Sequence, residues 1–298
     1  MALHQDMAHA KINLFLHVTG RREDGYHLLD SLAVFAGAGD HLHLSTGPQG
    51  QADSLTLQGP FAKGLEADEN NLVLKAARAL RQTRGEEAAR QPAAALTLEK
   101  RLPVASGIGG GSADAACALR LLTRYWSLPM EAAAHVAPTL GADVPVCLAQ
   151  KATRMEGIGD ILTAAPPLPE MGMLLVNPGV GVSTPSIFRR LAETGGITPR
   201  PPLAFPEAGW PTLDALIAFL AQTENDLQPH AIAQAPVIAT VLETLATLPQ
   251  VRFHRMSGSG ATCFALFETA DQAIRAADHL MDRDIAQAWW HWAGPVLP

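Results

Sequence analysis

The chain has 298 residues, of which 48% are hydrophobic and 17% charged, and its formal net charge is −7. This length predicts two domains, with one large α/β domain as the alternative, and the composition predicts a globular chain. The net negative charge argues against a nucleic-acid partner, so any phosphate must be bound locally by backbone amides and helix termini. The absence of a bilayer-length apolar run and of a signal-peptide pattern predicts a soluble, cytoplasmic chain that makes no membrane contact.

Residue patterns predict strands and helices in alternation through the first half of the chain. Strands are expected at residues 10–18, 40–46, 54–59 and 94–103. A helix that begins after a good cap near residue 70 is expected to end at Gly85, and another follows a glycine cluster and extends through Trp126. A helix at 130–140 is interrupted by Pro138, and an acidic turn then enters a strand, GADVPVCLAQ.

The second half is predicted to be an α+β layer in which helices alternate with short strands. Five prolines in residues 195–211 predict a loop or linker there. Strands are expected at 171–179, 251–256, 263–267 and 286–292, and helices at 213–222, 229–247 and 271–282.

Cysteine and histidine spacing gives little support for a metal site. The three cysteines, Cys117, Cys147 and Cys263, are far apart and show no CxxC spacing, so we expect buried thiols. His41 and His43 lie close together, but their alternate spacing is more typical of the solvated face of a strand than of a metal centre.

The strongest signal for chemistry is PVASGIGGGSADAA, residues 103–116. Glycines permit dihedrals and close approaches that a side chain forbids, and a helix that starts near Ser112 directs its free amides and dipole at the loop. A di- or triphosphate fits such a loop. The alternative is a tight turn whose glycines serve only chain geometry, although four glycines in five residues exceed what one turn needs.

Several known motifs are excluded by this segment and by the rest of the chain. There is no GxxxxGK[ST], and GxGxxG fails because Ser112 follows Gly111. The HRD and DFG motifs of protein kinases are missing, and without a GxSxG elbow a serine hydrolase is a distant alternative.

The glycine segment resembles the central signature of the GHMP kinases, in which a proline and a spacer precede a GLGGGSS-type loop that opens a helix. AKINLFLHVTGRREDGYHLLDSL resembles the first motif of the members that phosphorylate 4-diphosphocytidyl-2-C-methyl-D-erythritol, and MSGSGATCFALF resembles the third, glycine-rich motif of the family. LGADVPVCL and NPGVGVSTPSIF lie between them in the expected order, so the resemblance covers residues from about 9 to 267.

The resemblance implies an α+β fold of two domains, 1–155 and 156–298, with ATP and a small-molecule substrate in the cleft between them. It also implies transfer of the ATP γ-phosphoryl group to the 2-hydroxyl of 4-diphosphocytidyl-2-C-methyl-D-erythritol, a step of non-mevalonate isoprenoid synthesis. Mg²⁺ is expected to accompany ATP, with ligands that the sequence does not identify. The family's loop often ends SSNAA, whereas this chain has Ala113 and Asp114, so Ser112 supplies the hydroxyl alone.

By resemblance, Asp143 is the base toward the substrate hydroxyl and Lys11 is the lysine beside it. From local sequence alone, Asp143 could cap a Gly-Ala turn, and Lys11 could extend its ammonium to solvent from an apolar strand. The expected ATP-binding residues are Pro103, Gly107, Gly109, Gly110, Gly111 and Ser112, with Asn71 and Lys100 near the adenine. The expected substrate-binding residues are Asn13, Tyr26, His27, Thr184, Pro185 and Phe188, with Tyr26 and Phe188 on the two sides of the cytosine.

Two other functions are weighed against this one. Another GHMP kinase would act on homoserine, mevalonate or a sugar, but DGYH and TPSIF argue against it. A catalytically silent nucleotide sensor on the same fold is disfavoured by the presence of both Lys11 and Asp143. The stretch from Ser257 to Gly260 is expected to close the floor of the site by backbone contacts, or else to form a plain hairpin turn.

Overall fold

A computed structural model describes residues 4–48, 51–83, 85, 91–195, 200 and 203–298. The chain forms two compact units, each assembled from three stretches. Unit 1 contains residues 1–10, 39–104 and 109–150, and unit 2 contains residues 11–38, 105–108 and 151–298. Two long strands, β1 (His4–Arg21) and β2 (His27–Thr46), contribute residues to both units. A single domain boundary near residue 155 stays a prediction.

Unit 1 combines a small sheet with a group of helices. Strand β3 (Ser54–Gln58) pairs in parallel with β4 (Ala94–Glu99), and β4 pairs antiparallel with residues 41–46 of β2. The helices of this unit are α1 (Leu72–Gln82), α2 (Gly110–Tyr125), α3 (Met130–Leu140) and α4 (Val144–Ala149). Helix α2 is buried continuously from Ala113 to Thr123 because α1, α3 and α4 all pack against it. The helix that follows the glycines is therefore the centre of the unit.

Unit 2 contains two sets of paired strands. In the first, residues 29–33 of β2 pair with β5 (Thr153–Gly157), which pairs with β6 (Ile161–Ala164). The second is an antiparallel sheet in the order β10-β7-β9-β8. Its strands are β7 (Gly172–Asn177), β8 (Phe253–Met256), β9 (Cys263–Phe267) and β10 (Trp290–Pro295). The helices of this unit are α5 (Thr184–Glu193), α6 (Leu213–Leu220), α7 (Gln228–Gln234), α8 (Val237–Ala246) and α9 (Ala270–Met281).

Most predicted elements are present, but some boundaries and one assignment were wrong. The segment VPVCLA forms helix α4 and not a strand, with Pro145 in its first turn and Val144, Val146 and Cys147 buried. The helix expected at 229–247 is two helices, because Pro236 has no N–H to continue the first. Helix α1 ends at Gln82, before Gly85, and α2 begins two residues before Ser112. Strands β5 and β6 were not predicted, and β10 begins at Trp290.

Several smaller predictions can be compared with the structure. The three cysteines are buried free thiols, as expected. Asn71 caps α1 by accepting a hydrogen bond from the Val73 amide, which confirms the cap. None of the helices in the described ranges is long and apolar enough to cross a membrane. Part of the predicted loop at 195–211 lies outside the described residues, and residues 203–211 form no helix or strand.

Candidate active site

The glycine segment meets helix α2 at a glycine in a left-handed conformation. Gly109 is the N-cap residue of α2 with φ of 67°, and it has no side chain with which to cap the helix. The amides of Gly110, Gly111 and Ser112 therefore form the kind of uncapped helix N-terminus that binds anions. Pro103 is buried ahead of this segment. This arrangement can hold a phosphate group with backbone donors and the dipole of a buried helix.

The glycines of this segment differ in whether the fold requires them. A Cβ on Gly107, which has φ of 75°, would lie 2.5 Å from the Ser257 carbonyl oxygen, so this glycine is needed for chain packing. Gly110 has no such constraint, because its nearest neighbour for a Cβ would be the Lys100 Nζ at 3.7 Å. Gly111 is similar, with the Leu72 side chain at 3.5 Å. Chain packing thus explains Gly107, whereas the fold has room for a Cβ at Gly110 and at Gly111.

Two other residues expected near the nucleotide have structural partners in unit 1. Asn71 caps α1 and also donates a hydrogen bond to the Glu66 carbonyl oxygen at 2.9 Å. The ammonium of Lys100 is only about 5% exposed and contacts the carboxylates of Asp40 and Asp114. Lys100 is therefore an ion-paired lysine beneath the start of α2.

Asp143 is the N-cap residue of α4, but its side chain does not cap that helix. Its backbone carbonyl instead accepts a hydrogen bond from the Cys147 amide at 3.1 Å. The alternative role that the local sequence allowed, capping of the Gly-Ala turn by the side chain, stays a prediction. Asp143 is half-buried, so its carboxylate has partial access to solvent.

Lys11 and Asn13 lie on one face of β1 in unit 2, as their spacing predicted. The Lys11 ammonium donates to the Asn13 Oδ1 at 3.0 Å, and Asn13 Nδ2 donates to the Ser31 hydroxyl at 2.7 Å. Lys11 and Asn13 are 5% and 2% exposed, so this polar pair is held inside the unit. Ser31, which the sequence analysis missed, orients the amide of Asn13 and in turn donates to the Phe15 carbonyl.

Ser257 connects strand β1 to the glycine segment within unit 2. Its hydroxyl accepts a hydrogen bond from the backbone N–H of Asn13 at 3.1 Å and donates one to the Gly107 carbonyl at 3.0 Å. The Ser257 amide also donates to the Thr262 carbonyl, which closes the turn between β8 and β9. The SGSG stretch is therefore a hairpin turn that also supports the glycine segment, and it does so through a side chain that sequence reasoning had overlooked.

Replacing Ser257 by Ala should lower the free energy of unfolding by about 1–3 kcal/mol, because the buried backbone N–H of Asn13 would lose its acceptor. Urea denaturation measures this change. Ser186→Ala is the matched control, since the Ser186 hydroxyl makes an exposed hydrogen bond to Gln234 and its loss should cost less than about 0.5 kcal/mol. Equal effects of the two substitutions would contradict a supporting role for Ser257.

Two of the three ring residues expected to bind a base, His27 and Phe188, stack on each other in unit 2. The rings of His27 and Phe188 are 4.9 Å apart at an interplanar angle of 26°, so His27 covers one face of Phe188. Tyr26 is 61% exposed. Thr184 and Pro185 are exposed at the start of α5, and the Thr184 hydroxyl lies 2.7 Å from the Ser259 hydroxyl.

The His27 ring carries a buried polar nitrogen, Nε2. Its Nε2 has no hydrogen-bond partner among the described residues. Burial, with a smaller contribution from the nearby Arg21 guanidinium, lowers the pKa of His27 below its ordinary value of 6.5. A neutral imidazole has one donor and one acceptor nitrogen, which suits recognition of a polar base edge.

Comparison with known proteins identifies the class to which this fold and these motifs belong. The model of the GHMP kinases N terminal domain matches residues 71–151, and the model of the GHMP kinases C terminal matches residues 204–283. A homoserine kinase from Cytophaga hutchinsonii shares the fold, with a TM-score of 0.66 and 15% identity over 100% of this chain and 95% of that one. The chain belongs to the GHMP kinase family.

Closer relatives narrow this placement. A 4-diphosphocytidyl-2-C-methyl-D-erythritol kinase of Gluconacetobacter diazotrophicus is 54% identical over 98% of this chain and 94% of its own length. One of the same name from Granulibacter bethesdensis is 52% identical over 96% of this chain and 92% of its own. A crystal structure of 4-(cytidine 5'-diphospho)-2C-methyl-D-erythritol kinase matches with a TM-score of 0.75 and 31% identity, over 99% of this chain and 100% of that one. Within the GHMP kinases, the chain groups with the 4-diphosphocytidyl-2-C-methyl-D-erythritol kinases.

Proposed function

We propose that this chain transfers the γ-phosphoryl group of ATP to the 2-hydroxyl of 4-diphosphocytidyl-2-C-methyl-D-erythritol, a step of non-mevalonate isoprenoid synthesis. The names of relatives at 52–54% identity over nearly their whole length support this substrate. The observation on this chain that carries the proposal is the uncapped N-terminus of α2, where Gly110 lacks a side chain that the fold has room for. A polyphosphate that approaches the backbone accounts for that lack.

Phosphoryl transfer to an alcohol needs a proton acceptor and positive charge around the phosphoryl oxygens. Asp143 accepts the proton of the substrate 2-hydroxyl as that oxygen attacks the γ-phosphorus, and ADP leaves. The ammonium of Lys11 and the amides of Gly110, Gly111 and Ser112 stabilise the charge on the phosphate oxygens. Asn13 keeps the lysine in place through its hydrogen bond to the ammonium.

Mg²⁺ is part of this proposal as the companion of the nucleotide. Within the described ranges, no group of three His, Cys, Asp or Glu side chains is placed to hold a metal ion. In nucleotide sites Mg²⁺ takes most of its ligands from phosphate oxygens and water. Its chemical contribution would be to neutralise charge on the phosphates.

The cytosine is recognised by the aromatic group on unit 2. Tyr26 and Phe188 supply stacking faces, Thr184 and Pro185 line the same pocket, and His27 supplies the polar contact to the base edge. The buried Nε2 of His27, which has no hydrogen-bond partner in the described part of the chain, supports this role because a base edge can satisfy it. The stack of His27 on Phe188 holds the imidazole in a fixed orientation.

The assignment is tested by a coupled assay of ADP release with a panel of alcohols. Turnover of 4-diphosphocytidyl-2-C-methyl-D-erythritol is expected to exceed that of its uridine analogue, mevalonate and homoserine. A site that hydrogen-bonds one base edge leaves its own polar group unpaired when another base enters, which costs on the order of 1–3 kcal/mol. Faster turnover of mevalonate or homoserine would overturn the substrate, and equal turnover of the cytidine and uridine forms would overturn the role of His27.

Truncation of the stacking rings provides a second test of the substrate site. Tyr26→Ala and Phe188→Ala should each raise KM for the cytidine substrate by an amount equivalent to roughly 1–3 kcal/mol, with KM for ATP little changed. The larger effect is expected for Phe188→Ala, because this substitution also removes the ring that supports His27. Steady-state kinetics with each substrate varied in turn measures both constants. A rise in KM for ATP alone would place these rings at the ATP site instead.

A further inference from the structure

Helix α2 is anchored in unit 1 by a buried cluster of one lysine and two aspartates. The Lys100 Nζ donates to the Asp114 Oδ2 at 2.6 Å and also to the Asp40 carboxylate, and all three side chains are at most 6% exposed. The other oxygen of Asp40 accepts hydrogen bonds from the Arg101 and Leu102 amides at 2.6 and 2.8 Å. Asp40 and Lys100 thus join β2 to the end of β4, and Asp114 attaches α2 to both.

The cluster lies directly beneath the end of α2 that faces the glycine segment. Asp114 follows Gly110 by four residues, so the two share a face of the helix, and helical side chains lean toward the N-terminus. A Cβ on Gly110 would be 3.7 Å from the Lys100 Nζ and 4.0 Å from the Asp40 Oδ2. A change in the charge of this cluster therefore changes the electrostatic potential at the amides of the first turn of α2.

The cluster contains one more carboxylate than ammonium. From the surrounding elements, β2 presents Asp40 and the end of β4 presents Lys100, whereas α1, α3 and α4 pack with apolar buried residues. The Asp114 Oδ1 is buried and has no hydrogen-bond partner among the described residues. With both aspartates ionised, the cluster would hold a net negative charge beneath a helix end that attracts anions, and would oppose a triphosphate there.

A proton on one carboxylate removes this excess charge. Burial, opposed by the Lys100 ammonium and reinforced by the Asp40 carboxylate, raises the pKa of Asp114 to about 7. Burial alone would lower the pKa of Lys100, but the two carboxylates together raise it above 10.5, so the lysine stays charged. Asp40 already accepts hydrogen bonds from two backbone amides, whereas the Asp114 Oδ1 has no hydrogen-bond partner among the described residues, so Asp114 is the site with room for the proton.

We propose that Asp114 is a positioning residue for nucleotide binding, which holds Lys100 beneath the N-terminus of α2 and carries a proton when the triphosphate is bound. This inference rests on the proposed function, because it takes the N-terminus of α2 as the phosphate site. Binding of the triphosphate then converts the Asp114 carboxylate and one proton from solvent into a carboxylic acid. Affinity for ATP is therefore highest below about pH 7 and falls as the pH rises, because the bound state must recover that proton.

The test compares the wild-type chain with Asp114→Asn between pH 6.5 and 8.5. Asparagine is neutral at every pH and keeps an oxygen that can accept from Lys100. The ratio of KM for ATP in the wild type to that in Asp114→Asn is expected to rise by about tenfold across this range, with similar kcat values. Because a ratio is used, the ionisation of ATP itself cancels. Asp114→Ala, which offers Lys100 no oxygen, should raise KM for ATP at every pH.

Calorimetry gives an independent measurement of the proton. Binding of a non-hydrolysable ATP analogue at pH 7.5, in two buffers of different ionisation enthalpy, should show proton uptake by the wild type and less by Asp114→Asn. Asp53→Asn is the matched control, because Asp53 is an ion-paired, largely buried aspartate of the same unit that bonds to Arg81. It should reduce stability and leave both the pH profile and the proton uptake unchanged.

The outcomes separate this inference from the proposed function. If the wild type and Asp114→Asn phosphorylate the cytidine substrate with the same pH dependence of KM for ATP and the same proton uptake, the inference is wrong and the function stands. If Asp114→Asn and Asp114→Ala change only the melting temperature, Asp114 is a structural residue alone. If the folded wild type neither phosphorylates the cytidine substrate nor binds ATP, the proposed function itself fails.

Discussion

Asp143→Asn is expected to lower kcat by roughly 10²-fold or more, because the amide cannot accept the proton of the substrate hydroxyl. The substitution keeps the size and shape of the side chain. Because asparagine is isosteric with aspartate, Asp143→Asn is expected to fold normally, which far-UV circular dichroism checks. Single-turnover measurement with saturating ATP and substrate isolates the chemical step from product release.

Binding measurements provide the control for this substitution. ATP should bind Asp143→Asn as tightly as the wild type, since the carboxylate is proposed to act on the other substrate. Asp160→Asn, on the turn between β5 and β6, removes an aspartate that accepts an exposed backbone hydrogen bond and should not alter kcat. Single-turnover rates for Asp143→Asn within a few-fold of wild type would remove Asp143 from the mechanism.

Gly110→Val should abolish ATP binding, and Gly110→Ala should weaken it by roughly 10-fold to 100-fold, while both proteins remain folded. A side chain at this position displaces phosphate oxygens from the amides of α2, and one charge-assisted hydrogen bond is worth about 1.5–3 kcal/mol. The fold has room for the Cβ that both substitutions add, since the atoms nearest to it would be at 3.7 and 4.0 Å. Calorimetric titration with ATP and thermal unfolding separate the loss of ligand from the loss of structure.

Gly107→Ala gives the opposite pattern and serves as the contrast. Its Cβ would approach the Ser257 carbonyl oxygen to 2.5 Å at a positive φ, so this change should lower the melting temperature. Normal ATP affinity in a folded Gly110→Val protein would show that the segment is structural, and the proposed nucleotide site would fail with it.

Local sequence predicted most elements, and its errors have physical causes. VPVCLA has the β-branched residues of a strand, yet it forms α4 because its apolar side chains pack in the helical group around α2. The apolar helical pattern that runs from 229 to 247 hid the effect of Pro236, which ends one helix and lets another begin. Periodicity describes which face is buried, and it does not determine where packing or a proline ends an element.

The site was predictable where its parts are close in sequence. Lys11 and Asn13 are two residues apart, and their shared strand face followed from that spacing alone. The Lys100 cluster was not predictable, because Asp40 is 60 residues from Lys100 and only the pairing of β2 with β4 brings them together. Ser257 is 244 residues from Asn13 in the chain, so its hydrogen bond could not be inferred from local pattern.

The division of the chain also determines the order in which its parts can fold during synthesis. All of unit 1 lies before residue 151, so every residue that it needs has been made before the ribosome reaches that position. Unit 2 takes residues 11–38 from the beginning of the chain and 151–298 from its end. Residues 11–38 must therefore wait for residues 151–298 before their unit is complete, and chaperones have that interval in which to act on them.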